Sequence, residues 1–269
     1  MLGMSRTSLA EVTQRLDSVL EAGDADTLSV ELFQVVGLLD EQHSLRRYLA
    51  DASAATADKT GLVGELLESR VSPSTILVIN DVVQARWSRP RDMVDAVERL
   101  AVAATVSTVE GGAEVEELED EMFRFDRTLA SQPDLRIALT NSNATAQAKR
   151  TLLQDLLADR VSRATLRMVT QVVLVSRGRR LEKGLELYRH WAAERARRRI
   201  AVVRTAAPLS AQQRDRLQRL LSEAYERAVH MNIEVDPGLV GGMSIRIGDE
   251  IIDGSIAGKI AALRRRLTT

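Results

Sequence analysis

The stretch KTGLVGELLESRVSPST at residues 59–75 recurs as KRTLLQDLLADRVSRAT at residues 149–165, and this recurrence decides the fold. Extending the comparison at a constant offset of 90 residues aligns Leu28–Ala101 with Leu118–Trp191 without an insertion. Twenty-one of the 74 paired positions are identical, which unrelated segments rarely reach over an ungapped span. The sequence therefore contains an internal duplication.

The paired positions are largely apolar and recur at helical spacing. The repeated pairs are Leu62 with Leu66 and Val63 with Leu67, matched in the second copy by Leu152 with Leu156 and Leu153 with Leu157. Because the members of each pair lie four residues apart, they predict one buried helix face. Ser72 before Pro73 predicts an N-cap followed by a proline at the first helical position, and Ser162 takes the same place in the second copy.

Each copy is predicted to be a bundle of about five or six helices joined by short loops. In the first copy the helices are expected near residues 4–22, 25–42, 45–50, 56–70, 73–87 and 90–109. No Pro or Gly interrupts the last segment before Gly111, which allows one helix to end the first bundle and begin the second. A helix over residues 180–199 closes the second copy, with Leu181, Leu185, Tyr188 and Ala192 on one inward stripe.

The pattern changes after residue 199, where a β-branched run at residues 200–206 predicts a strand. Ser210 and Gln213 form a capping box that begins a helix. Further strands are predicted at residues 230–235, 243–247 and 250–253. Gly248-Asp249 is predicted to form a hairpin turn, and Ser255 to cap a closing helix. The predicted fold is mainly α, with two tandem N-terminal helical bundles followed by a small α/β C-terminal domain with a β-hairpin.

The composition excludes several classes of protein. Hydrophobic residues make up 45% and charged residues 28% of the 269 residues, which are values typical of a folded globular chain. The absence of cysteine excludes disulfides, a thiolate nucleophile and cysteine-based zinc sites. The longest uncharged run, at residues 137–148, is too short to span a membrane, and the first residues lack the apolar stretch of a secretory signal. We therefore expect no transmembrane segment and a cytoplasmic location.

The sequence has no recognisable catalytic or cofactor motif. Phosphate-binding and dinucleotide glycine fingerprints, the H-E-x-x-H pattern and the nucleophile elbow are all absent, and the three histidines lie far apart. The glycine-rich stretch at residues 238–242 is predicted to open a strand rather than a helix, which favours a turn or bulge over a phosphate cradle. We expect no catalytic residue, no cofactor and no metal.

A nucleic-acid interface is an alternative function. The segment from Arg177 to Arg199 contains nine basic residues and three acidic ones. However, the aromatic residues of that segment, Tyr188 and Trp191, lie on the predicted inward stripe, where they are not available to stack on bases. The 37 basic and 38 acidic residues of the chain also balance, so no global field attracts nucleic acid. A solvated or partner-facing helix is therefore the favoured interpretation, with no nucleic acid bound.

Two C-terminal segments resemble the signature of a known family. Residues 203–210 carry A-x-P-L-S, and residues 235–255 carry V-D-P-x-L-x-G-G followed by I-G-D-x-x-x-D-G-S. Their order and spacing are similar to those of the ATP synthase delta subunits, called OSCP in mitochondria. Residues 97–269 resemble a whole delta subunit. The resemblance divides the chain into an extra bundle (1–96), a delta-type bundle (97–199) and a C-terminal domain (200–269).

The resemblance implies a non-catalytic stator subunit that resists rotor torque. In this family the bundle grips the N-terminal helices of the F1 alpha subunits, and the C-terminal domain holds the b subunits of the peripheral stalk. The implied location is the cytoplasmic face of the plasma membrane, as a peripheral part of the F1Fo complex. Our further hypothesis is that the extra bundle engages a second alpha N-terminus or braces the stalk. A general helical adaptor remains the alternative.

Partner contact is predicted for apolar and glycine positions of the C-terminal domain and for one acidic residue. The predicted partner-binding residues are Val240, Gly241, Gly242, Met243, Ile245, Asp253, Ile256 and Ile260. Their apolar members are also the residues expected in a core, so the two interpretations compete at each position.

Overall fold

The structure, a computed structural model, describes residues 3–109, 112–224, 230–236, 239, 241–247 and 250–253. The chain divides into two compact units, unit 1 (Met1–Ala192) and unit 2 (Ala193–Thr269), and both copies of the repeat lie in unit 1. The helices are α1 (Gly3–Ala22), α2 (Ala25–Glu41), α3 (His43–Leu49), α4 (Thr56–Leu67), α5 (Pro73–Gln84), α6 (Pro90–Ser107), α7 (Gly112–Ser131), α8 (Pro133–Thr140), α9 (Ala146–Leu157), α10 (Arg163–Leu174), α11 (Leu181–Arg199) and α12 (Ala211–Ala224). The strands are β1 (Ile200–Thr205), β2 (His230–Val235), β3 (Met243–Ile247) and β4 (Glu250–Asp253).

Helix α6 is the helix around which unit 1 packs. It lies against α1, α2, α3 and α5 of the first copy and against α10 of the second. Its buried apolar side chains are Met93, Val94, Ala96, Val97, Leu100, Ala101, Val102, Ala103, Ala104 and Val106. One helix therefore serves both copies, and the predicted domain boundary after residue 96 falls inside it.

The helices of the two copies repeat at the offset found in the sequence. Helices α4 and α9 begin and end 90 residues apart, and so do α5 and α10. Both predicted N-caps are confirmed: the Ser72 side chain accepts a hydrogen bond from the Thr75 amide, and Ser162 accepts one from the Thr165 amide. The stripe predicted on α11 is also buried, with Tyr188 fully enclosed.

Two sequence predictions were wrong in detail. Leu66 does not belong to the buried face of α4, because its side chain is 39% exposed, whereas Val63 and Leu67 are buried. The helix predicted over residues 73–87 ends at Gln84 instead, since Ala85 turns to an extended conformation. Trp87 then packs into the core and donates a hydrogen bond from its indole nitrogen to the Val82 carbonyl, 2.7 Å away.

A glutamate that sequence analysis did not single out secures each N-cap. The Glu121 carboxylate accepts hydrogen bonds from the Ser162 amide (2.9 Å) and hydroxyl (2.8 Å) and from the Thr165 hydroxyl (2.5 Å). Glu31 makes the same set of contacts in the first copy. Each carboxylate thus joins the second helix of its copy to the N-terminus of the fifth, where negative charge is stabilising.

The described strands of unit 2 form a sheet in the order β2-β1-β3-β4, with β1 parallel to β2 and antiparallel to β3. The predicted capping box is confirmed, because Ser210 and Gln213 exchange hydrogen bonds of 2.9 and 3.2 Å at the start of α12. Among the described residues of unit 2, the buried core includes Ala201, Val203, Leu221, Ile245 and Ile247. The predicted turn at residues 248–249 and the closing helix from Ser255 lie outside the described residues.

Replacing Glu121 with alanine is expected to lower the free energy of unfolding by about 2 kcal/mol, because three donors lose a charged acceptor in a buried place. Glu117→Ala, at an exposed position of the same helix, is the matched control and is expected to change stability by less than about 0.5 kcal/mol. Denaturant unfolding followed by circular dichroism measures both. Equal stability of the two variants would show that the Glu121 contacts contribute nothing.

Candidate partner-binding surfaces

A groove runs between α2 and α10 in unit 1, with a volume of about 780 Å³. Val30, Phe33 and Leu38 line it from α2, and Leu166 and Leu174 line it from α10. The Val30 side chain is 38% exposed at its edge. Because the two helices belong to different copies of the repeat, the groove exists only when both copies are present. Sequence analysis missed it, since its walls lie more than a hundred residues apart in the chain.

The rim of the groove is positively charged. Arg150, Arg163 and Arg167 line it, against a single carboxylate from Glu41. Arg167 is held in place by a 2.6 Å hydrogen bond and ion pair to Asp26 of α2. An apolar floor with a cationic rim is suited to an amphipathic helix that carries acidic residues beside its apolar face.

The structure describes five of the eight predicted partner-binding residues, and Val240, Ile256 and Ile260 lie outside the described residues. Gly241 and Gly242 precede β3 with φ angles of 152° and 83°, which are values that favour glycine and agree with the predicted turn or bulge. Met243 begins β3 and packs against the core of unit 2. Ile245 is a core residue with 7% of its surface exposed, so little of it is available to a partner. Asp253 ends β4, paired with Ser244 of β3.

Other apolar residues of unit 2 are exposed instead. Ile251 is 64% and Ile252 is 44% exposed on β4, at one edge of the sheet, and Val235 is 47% exposed at the end of β2. Two consecutive isoleucines break the alternation expected of a half-buried strand, and this was the signal that sequence analysis passed over. An edge strand with exposed apolar side chains is a surface on which a partner can pack.

A buried ionic cluster surrounds Glu98 of α6, whose side chain is fully buried. Its carboxylate accepts hydrogen bonds from Arg177 (2.6 Å) and the Tyr188 hydroxyl (2.8 Å) and pairs with Arg179. Arg177 also pairs with Asp95 at 2.7 Å. Two of the arginines on which a nucleic-acid interface would rely are therefore held by carboxylates within unit 1.

The cluster shifts the titration of two of its members. Burial lowers the pKa of Arg177, but the carboxylates of Glu98 and Asp95 raise it by more, so the net shift is upward. Burial raises the pKa of Tyr188 well above 10, and the neighbouring Glu98 charge raises it further. The Tyr188 ring also stacks on Phe33 of α2, with 6.0 Å between centroids. The cluster therefore joins both copies to α6.

Within the part of the chain that the structure describes, no group of histidine, aspartate and glutamate side chains is arranged to hold a metal ion. Over the same residues, no helix combines the length and the apolar character that a membrane span requires.

Duplicated helices that enclose an apolar groove, followed by a small mixed sheet with an exposed edge, define a helical protein built for binding other chains. A family model described as ATP synthase delta (OSCP) subunit matches residues 97–267. Over 267 residues the chain is 56% identical to "ATP synthase subunit delta" of Thermobifida fusca, covering 99% of both chains. It is 41% identical to the protein of the same name from Streptomyces griseus over 269 residues, with 99% of each covered.

The chain belongs to the ATP synthase delta (OSCP) family. It is accordingly a non-catalytic subunit of the peripheral stalk, as the C-terminal signature implied. The family model begins at residue 97, inside α6, whereas the relatives align with the first 96 residues as well. The extra copy is therefore shared with these relatives.

The raised pKa of Tyr188 predicts a specific loss of stability at high pH. Because the folded state keeps the phenol proton when the unfolded state releases it, the stabilisation is complete below about pH 10 and is lost as the pH rises above it. The loss approaches about 1.4 kcal/mol per pH unit. The Tyr188→Phe variant lacks this dependence, so its free energy of unfolding should fall less steeply above pH 10 than that of the wild type.

Urea unfolding at a series of pH values measures the two profiles. Tyr48→Phe, at a position 39% exposed, serves as the control and is expected to follow the wild-type profile. Parallel curves for the wild type and Tyr188→Phe would contradict the prediction.

Proposed function

We propose that unit 1 binds the N-terminal helices of the alpha subunits of the F1 head and that unit 2 binds the distal ends of the b subunits. The chain then joins head to stalk at the cytoplasmic face of the plasma membrane and keeps the head from turning with the rotor. The observation that carries the proposal is the groove between α2 and α10, with its apolar floor and cationic rim.

The size of the groove supports a helical occupant. Leu166, Thr170 and Leu174 are four residues apart on α10 and form one continuous wall. At 1.5 Å per residue, the 12 residues of α10 give a wall of roughly 18 Å, enough for about three turns of a partner helix. An amphipathic helix docks in such a groove through apolar anchors at positions i, i+3, i+4 and i+7.

The extra copy contributes to binding under this proposal, because its α2 forms one wall of the groove and the delta-type bundle alone lacks half of the site. That the extra bundle also engages a second alpha N-terminus stays a prediction.

Unit 2 offers the edge strand β4 to the b subunits, through Ile251 and Ile252. The exposed isoleucines supply apolar area, and the edge of the described sheet supplies backbone hydrogen-bonding groups. Separate surfaces for the two partners allow the two contacts to be tested independently.

Point substitutions test the proposal better than removal of residues 1–96, because such a deletion would cut α6 and expose the side chains that the first copy covers. The double variant Val30→Asp, Leu166→Asp places two carboxylates in the groove. We expect its affinity for F1 heads depleted of their own delta subunit to fall tenfold or more, since central apolar contacts dominate such interfaces. Its affinity for the b subunits should be unchanged.

The Ile251→Asp variant tests the other surface. We expect it to bind b subunits more weakly and F1 heads as the wild type does. Surface plasmon resonance against each immobilised partner gives both affinities for each variant. The proposal fails if the groove variant binds the head as the wild type does. It fails equally if both variants fold, as judged by circular dichroism, and each loses both partners, because the two surfaces would then not be separate.

A further inference from the structure

The three arginines at the rim of the groove between α2 and α10 are not equivalent. Arg167 is 17% exposed and is held against α2 by hydrogen bonds of 2.6 Å to both Asp26 and Ser29. Arg150 and Arg163 are exposed, and the side chain of neither forms a hydrogen bond or an ion pair with another described residue. One rim arginine therefore belongs to the wall of the groove, and the other two can pair with a partner.

Glu41, the carboxylate of the groove lining, is remote from the arginine that begins α10. Arg167 contacts Ser29, and Val175 contacts Gly37, so the same residue offset holds along both walls and the two helices run parallel. The first residue of α10 is thus level with the first residue of α2, whereas Glu41 is the last residue of α2. At 1.5 Å per residue the two charges are roughly 24 Å apart. Salt screens exposed charges over about 8 Å, so Glu41 does not neutralise this end of the groove.

The two unpaired rim arginines occur only in the second copy of the repeat. At the offset of 90 residues, Arg150 corresponds to Thr60 and Arg163 corresponds to Pro73. The equivalent helices α4 and α5 of the first copy form without these charges, and α5 has the same serine N-cap as α10. The two arginines are therefore not needed to form the helices that carry them, and they lie where the second copy borders the groove.

We propose that Arg150 and Arg163 select the helix that docks in the groove, by pairing with carboxylates that border the apolar stripe of that helix. The inference rests on the proposed function, and it adds a chemical requirement for the N-terminal helix of the alpha subunit: acidic residues on the side that faces the α9–α10 rim. A carboxylate accepts paired hydrogen bonds from a guanidinium group, and opposite charges speed the encounter of the two surfaces. A helix with basic residues at this border is rejected, because like charges would face each other.

Surface plasmon resonance of the full-length protein on immobilised F1 heads, depleted of their own delta subunit, tests the selection. Arg150→Gln and Arg163→Gln are each expected to lower the association rate constant about fivefold at low sodium chloride concentration, with a smaller effect on dissociation. At high sodium chloride concentration the difference from the wild type should disappear, because screening removes the attraction between exposed charges. Both variants are expected to unfold at the same denaturant concentration as the wild type, since neither side chain has a partner among the described residues.

Two further variants separate selection from other effects. Arg70→Gln is the matched control, because Arg70 is an exposed arginine of the first copy that does not line the groove, and its variant should associate as the wild type does. Arg167→Gln removes the contacts to Asp26 and Ser29 that hold the wall. It is therefore expected to unfold at a lower denaturant concentration and to dissociate faster from the head, at low and at high salt alike.

The inference and the proposed function fail in different ways. Wild-type association of both Arg150→Gln and Arg163→Gln overturns the inference, and so does a loss that persists at high salt or that Arg70→Gln shares. If the double variant Val30→Asp, Leu166→Asp still loses the head in that case, the groove remains the binding site and only the charge selection is refuted. If the double variant also binds as the wild type does, the groove is not the site and both proposals are refuted.

Discussion

Burial of α6 between the two copies of the repeat is the constraint on which unit 1 depends. Most of its side chains are enclosed, and the small ones, such as Ala96, Ala101 and Ala104, let neighbouring helices approach closely. A helix buried on nearly every side cannot leave polar groups unpaired. The Asp92 carboxylate accordingly accepts hydrogen bonds from Ser5 (2.9 Å) and Arg89 (3.0 Å). The Glu98 carboxylate accepts hydrogen bonds from two arginines and a tyrosine.

Contacts across the repeat follow from this shared helix. Arg167 of α10 bonds to Asp26 and Ser29 of α2, and Tyr188 of α11 stacks on Phe33 of α2. A stator must carry torque without dissociating, which requires extended binding surfaces on elements that do not move against each other. Two bundles built on one helix meet that requirement better than two bundles joined by a linker, because a flexible linker would absorb the load.

The sequence predicted what depends on local patterns. The offset of 90 residues, the caps at Ser72 and Ser162, and the strands of unit 2 all follow from short-range rules, and the structure confirms them. Leu66 was misplaced because two overlapping apolar stripes on a short helix do not reveal which one faces the core. Spacing alone ranks them equally.

Features that depend on distant residues could not be predicted from the sequence. The groove needs α2 and α10, and the ionic cluster needs Glu98 beside Arg177 and Arg179, which no single-sequence pattern connects. One of these contacts joins equivalent positions of the two copies, which the alignment of the copies does not predict. Glu98 and Tyr188 occupy equivalent positions of the two copies, yet they are hydrogen-bonded to each other at 2.8 Å because α6 belongs to both bundles.

Native-state hydrogen exchange across unit 1 at increasing denaturant tests this account most directly. If α6 serves both copies, the most protected amides of α2 and α5 and those of α7 and α10 should open in one cooperative step, at the free energy that also opens α6. The account is contradicted if the first copy opens at a distinctly lower free energy while the amides of α6 stay protected by the second.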